Sequence, residues 1–330
     1  MKKTIFNLSL LLVSFALILS SCGEDPKPEP TIDFTATVVG KVVTFTSTAT
    51  DVTTYAWTFG DGDVSIEASP EHTYAIGGDY EVTCDVIGEG GTATVTKTVS
   101  VEMTDTDLLA GADGKTWKLD AGTDGYAIEI FDLEQDGAID TTDLPALFLF
   151  GVLMEEEYND VVTFNPDGSV TVDNDNGKTF GSITSAMALL GLADEEAFMG
   201  AVGAGTVKLP MVDEDDDDVP ETPTTEFGVC SFDYTVPAGT WEFSTDDIVV
   251  NDELDAMGLN RTYSGENHIK FSTGSYAGLL NVGQPEARIK SLTNDRLILT
   301  YFLDVPVDLG AGPMVPTVYT VELNLIPIAK

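Results

Sequence analysis

Positive charge is scarce in this chain. Its 15 lysines and arginines face 56 aspartates and glutamates in 330 residues, for a formal charge of −41 at pH 7. Nothing here could neutralise a run of phosphates, so nucleic acid is excluded as a partner. The stretch "VDEDDDDVPETPTTE" (212–226) would repel any anionic polymer, which leaves a neutral ligand or a cation. Solubility is the simplest reason for the excess acid. Cysteine is also rare, with three residues. Cys84 and Cys230 fall in different regions and read as small buried apolar residues, not as a disulfide framework. Histidine occurs twice, at His72 and His268, so bases that work near neutral pH are few. There is no G-x-S-x-G, no H-E-x-x-H, no phosphate-cradling glycine loop and no His/Cys cluster, so no standard catalytic or zinc motif is present. The three tryptophans, Trp57, Trp117 and Trp241, are few for a protein that stacks sugars.

What is present begins at the N-terminus. "MKK" precedes the apolar run "TIFNLSLLLVSFALIL" and then "LSSC", Leu19 to Cys22. The run is too short for an ordinary membrane span and ends at small residues suited to cleavage. It resembles a bacterial lipoprotein signal, which implies cleavage after residue 21 and lipidation of Cys22. A plain secretory signal is the alternative. Residues 22–30, "CGEDPKPEP", read as an extended acidic, proline-rich linker. Acidic residues after the lipidated cysteine also resemble a surface-export tag of glycan-foraging bacteria. The implied location is the outer membrane, lipid-anchored and facing the exterior.

Residues 31–103 alternate β-branched residues with polar ones between Gly and Asp breakers, the pattern of a β-sandwich. Within them Trp57, Phe59, Gly60, Asp61, Gly62, then Pro70, His72, Tyr74, then Gly78, Tyr80 and Val82 spell W-x-F-G-D-G, P-x-H-x-Y and G-x-Y-x-V. This resembles the PKD domain, an Ig-like sandwich common as a spacer or adhesive module. Trp57 and Phe59 should alternate inward, Gly60 and Gly62 should take positive φ, and the Tyr74 and Tyr80 hydroxyls should find backbone partners. His72 reads as a loop-holding residue; a lone histidine cannot complete a usual metal site.

Residues 104–330 carry further strand and turn signals. Asn165-Pro166-Asp167-Gly168, Thr245-Asp246-Asp247 and Asn294-Asp295 each sit between β-rich runs and predict hairpins. The predicted class is all-β throughout: the sandwich, then an antiparallel barrel or sandwich with short helical insertions. "GKTWKLD", "FNPDGS" and "IKSLTNDRLIL" resemble lipocalin-like domains of surface lipoproteins in polysaccharide-utilisation systems. Two apolar segments predict helices: 143–157, started by Asp143 and Pro145, and a second with a cap at Asp194. They read as core packing, or as a docking face if Phe148, Phe150, Met187 or Phe198 is exposed.

Three candidate sites follow. Tyr158, Trp241, Tyr263 and Tyr276 lie near loops and hairpin tips and are the candidates to stack sugars; taken singly, the rival reading of each, a core aromatic, is the preferred one. Glu266 and His268 are a carboxylate–imidazole pair close in sequence, set to share one face of an alternating strand; a structural role is preferred because nothing else marks a cleft. In "FDLEQDGAIDTTDL" (131–144), Asp132, Glu134, Asp136, the carbonyl of Ala138, Asp140 and Asp143 follow the ligand positions of a calcium loop, with Gly137 at the sharp turn. The stretch resembles a dockerin or EF-hand calcium loop, which implies a structural Ca²⁺. The rival reading is a hairpin turning at Gln135-Asp136-Gly137. The resulting expectation is a non-catalytic surface lipoprotein that binds a neutral glycan beside an outer-membrane transporter. The alternatives are a calcium-stabilised adhesion or scaffold protein, and a glycoside hydrolase whose paired carboxylates no sequence spacing would reveal.

Overall fold

A computed structural model describes residues 25–120, 126–131, 160–174, 177–209, 211–212, 222–223, 229–250, 261–272, 274–277, 279–280, 285–303 and 318–328. The chain divides into two compact units, 1–103 and 104–330.

The first unit is a sandwich of two antiparallel sheets. One has β1 (Thr31–Val39), β2 (Val42–Thr50) and β5 (Glu71–Thr73). The other has β3 (Thr54–Thr58), β4 (Val64–Ser65), β6 (Gly78–Gly88) and β7 (Gly91–Val101), in the order β4-β3-β6-β7. The period of two sorts each strand. Phe34, Phe45, Trp57, Val82 and Cys84 are buried, while the threonines between them face solvent. Trp57 packs edge-on against Phe34 at 5.1 Å between ring centroids and lies 5.4 Å from Phe45. Its indole N–H donates to the Glu67 carbonyl at 2.9 Å. Gly60 and Gly62 take φ of +89° and +105°, as the turn requires. The Tyr74 hydroxyl donates to the Phe59 carbonyl at 2.9 Å and Tyr80 to Ile76 at 2.8 Å.

The second unit opens with α1 (Asp105–Ala110), started by a capping box between Thr104 and Asp107. Its strands are β8 (Lys115–Leu119), β9 (Tyr126–Phe131), β10 (Val161–Phe164), β11 (Ser169–Asp173), β12 (Lys178–Ser182), β13 (Val207–Lys208), β14 (Met211–Val212), β15 (Thr222–Pro223), β16 (Val229–Asp233), β17 (Gly239–Ser244), β18 (Ile248–Val250), β19 (Arg261–Tyr263), β20 (His268–Phe271), β21 (Glu286–Leu292), β22 (Leu297–Leu303) and β23 (Val318–Pro327). Eight of them form one antiparallel barrel in the order β22-β21-β20-β17-β11-β10-β8-β23. The pairing of β22 with β23 closes it, and β9 continues the β8 side of β23. The barrel strands follow chain order, with β9 interposed between β8 and β10, the β18–β19 pair between β17 and β20, and a larger insertion between β11 and β17. That insertion holds the sheet β12-β16-β13 with α2 (Ile183–Leu190) and α3 (Glu195–Gly203).

Among the described residues the barrel interior is filled by side chains, as in other small barrels. Trp117, Phe164, Trp241, Ile269, Phe271 and Tyr301 fill it. A cavity of about 10 Å³ remains beside Trp117, Val162 and Tyr276, with Asp160 on its wall. That is room for about one water molecule.

The hairpins at Asn165–Gly168 and Asn294-Asp295 form, and Gly168 takes φ +84° at its turn. The hairpin expected at Thr245-Asp246-Asp247 does not: β17 pairs with β11 and β20, and β18 pairs with β19. Asp194 caps α3, accepting from the Ala197 amide at 2.9 Å. Phe198 is buried and Met187 half-buried, which matches core packing. Phe148, Phe150 and the helix expected over 143–157 lie outside the described residues.

Candidate functional site

The sandwich concentrates its polar chemistry at one loop. His72 stacks on Phe59 with centroids 4.2 Å apart and planes 5° from parallel, and meets Tyr74 edge-on at 4.6 Å. Its Nε2 lies 2.6 Å from Asp61 Oδ2. Burial raises the Asp61 pKa, but the His72 contact and the Asp63 amide outweigh it and hold the carboxyl below its usual range. Asp61, Asp63 and His72 place ligand atoms within 4.8 Å of one another, enough to hold a cation. Asp63 was not anticipated from sequence, although the repeat in "GDGD" marks it. Both aspartates are exposed and the histidine nitrogen already faces Asp61, so the group is a loop clasp in the form described.

Two of the four candidate sugar platforms are displaced by the fold. Trp241 is 7% exposed and points into the barrel, edge-on to Phe164 at 5.6 Å and to Phe243 at 5.2 Å. Its indole N–H donates to the Asn165 carbonyl at 3.2 Å. Tyr276 is 1% exposed and its hydroxyl reaches Thr179 Oγ1 at 3.4 Å. Neither can meet a sugar, because a stacking ring must present a face to solvent. Tyr263 lies on β19 opposite Ile248. Tyr158 lies outside the described residues, as do Cys22 and the calcium-loop positions Asp132, Glu134, Asp136, Ala138, Asp140 and Asp143. The segment that enters that loop is a strand, β9, and not the helix of an EF-hand.

Glu266 and His268 do not form a carboxylate–imidazole dyad. His268 is fully buried and its Nδ1–H donates to the Glu266 backbone carbonyl at 2.9 Å, while the Glu266 carboxylate accepts from Arg288 Nε at 3.0 Å. Lys97, Lys178, Lys270 and Arg296 also pair with acids, at Asp33, Asp233, Asp246 and Asp120. Lys115 gives its ammonium to the Leu108 and Asn294 carbonyls, each at 2.8 Å. Such committed cations offer little to an anionic ligand. Burial pushes the Cys84 thiol up to about 11 and raises Cys230 further, so neither is a ready nucleophile.

Residues 25–103 match the PKD domain model. They are 32% identical to the crystal structure of the PKD1 domain of Vibrio anguillarum Epp, which covers 23% of this chain and 98% of that one, with a TM-score of 0.23. The PKD1 domain of the Vibrio cholerae metalloprotease PrtV is 31% identical over 23% of this chain and all of that one, with a TM-score of 0.22. Residues 25–103 are thus a PKD domain. A structure of carbohydrate-binding modules of the β-sandwich superfamily, with promiscuous specificity, is 13% identical over 92% of this chain and 94% of that one. Its TM-score is 0.23. No curated protein matches the chain.

Proposed function

We propose that this is a lipid-anchored, non-catalytic lipoprotein of the outer cell surface. In chain order the PKD domain follows the anchor at Cys22 and precedes the barrel, and the protein recognises an uncharged glycan for partner proteins of the outer membrane, such as a transporter. The observation that carries recognition at an outer surface is the packed barrel interior: among the described residues, the cavity beside Trp117 holds about one water and has no room for a sugar. The commitment of the cations described above, with the net charge of −41, favours an uncharged ligand. Native affinity gels containing neutral polysaccharides test this. Retardation by at least one is the expected outcome. A protein that migrates unretarded through every neutral polysaccharide sinks the glycan assignment.

The alternative, an adhesion or scaffold protein without a glycan site, draws support from the burial of Trp241 and Tyr276. Structural calcium in the 132–143 loop belongs to either reading and is motivated by its ligand spacing. Added calcium should raise the melting temperature of the barrel unit by mass action, and Asp136→Ala should abolish the rise. Identical melting curves in calcium and in chelator would end that idea.

A further inference from the structure

The outward face of the β1–β2 hairpin is an ordered array. Thr31 faces Thr50, Asp33 faces Thr48, Thr35 faces Thr46, Thr37 faces Thr44, and Val39 faces Val42. All seven threonines are exposed, and Val39 is 72% exposed at the end of the row. The Thr31 and Thr50 hydroxyls lie 2.7 Å apart. Successive rows recur every two residues, about 6.8 Å, and the face is about 27 Å long from Thr31 to Val39. Partners across the two strands are about 4.5–5.5 Å apart.

Strand propensity explains threonine on a strand. It does not explain why this face is electrically neutral. The outward positions of β6 carry Asp79, Glu81 and Asp85. On the β1–β2 face the one acid is Asp33, and Lys97 sits 2.7 Å from its carboxylate. Glu71 stands at the flank, on β5, opposite Thr44. An uncharged face with an exposed valine, in a chain of net charge −41, complements an uncharged partner.

We propose that this face is the docking surface for one extended chain of a neutral polysaccharide. The inference rests on the glycan reading above and moves its site from the barrel loops to the sandwich. Each threonine offers a methyl group for the C–H face of a sugar and a hydroxyl for its OH groups. Branching at Cβ stiffens both, so little side-chain freedom remains to be lost on binding. The array thereby stands in for an aromatic platform: Phe34, Phe45, Trp57, Phe59 and Tyr74 are buried, and Tyr55 and Tyr80 are half-buried.

The test uses the whole protein in the same affinity gels. The triple variant Thr35→Ala, Thr46→Ala, Thr48→Ala should bind roughly tenfold more weakly or worse, from the loss of three hydroxyls. Thr92→Ala, Thr94→Ala, Thr96→Ala on β7 should be retarded like wild type. If the first triple variant melts early, Thr35→Val, Thr46→Val, Thr48→Val keeps the β-branching and removes only the hydroxyls, and it too should bind more weakly. Wild-type retardation by a folded ladder variant overturns this site and leaves the glycan reading standing. Absence of retardation for the wild type itself removes both.

Discussion

Replacing Trp117 with alanine is expected to lower the stability of the barrel unit by about 3–5 kcal/mol, the range for emptying a buried tryptophan site. Trp117 is fully buried and lines the one cavity described, so the void left by its removal would join space already present. The loss also removes more than volume. The Trp117 indole N–H donates to the Leu109 carbonyl at 2.8 Å, tying α1 to the barrel wall. The Lys115 ammonium lies 4.2 Å from the centre of the ring. A domain has about 5–15 kcal/mol in total, so this one side chain accounts for a large share. Urea unfolding measures it: the midpoint should fall sharply with little change in slope. A shift below about 1 kcal/mol would show that the barrel does not depend on this ring.

The second large effect belongs to the sandwich. Trp57→Ala should cost about 3–5 kcal/mol by the same cavity argument. Trp57 is the one tryptophan before residue 104, the others being Trp117 and Trp241, so each unit can be followed by its own fluorescence. In Trp57→Ala the two remaining indoles report the barrel alone, and their transition should stay at its wild-type midpoint. The sandwich transition, followed by circular dichroism, should move to lower urea. Removing the ring opens space beside Phe34 and Phe45 and leaves the Glu67 carbonyl without its donor. If both transitions move together, the two units do not unfold independently and the stability assignment fails.

The sandwich was legible in the sequence because its signature is local. Gly60 and Gly62 are dictated by backbone conformation, and Trp57, Tyr74 and Tyr80 each carry a polar atom that must find a nearby carbonyl when buried. The barrel was legible as a set of strands but not as a pairing. At Thr245–Asp247 the turn signal was sound, yet no property of the turn specifies that the strand after it pairs with β19 instead of β17. Trp241 was misplaced for a readable reason: in "TWEFS" it shares its face with Phe243, while Thr240 and Glu242 take the other. Tyr276 had no such signal, since "SYAGLL" does not alternate. The threonine array was in plain view as "TFTSTAT", but its neutrality became meaningful only once the register set β1 against β2 and Lys97 against Asp33.

The closure of the barrel has a consequence for the timing of folding. The strand that seals it, β23, pairs with β8, about two hundred residues earlier in the chain. Contacts of such long sequence separation form slowly, because a long loop must be ordered before they repay it. The sandwich pairs strands within residues 31–101 and can fold as soon as that length is available. The barrel cannot close until its last strand is available for pairing. Newly made protein therefore passes through a stage with a finished first unit and an unsealed second one. During that stage β8 and β22 present unpaired strand edges, the form most open to aggregation or capture by a chaperone.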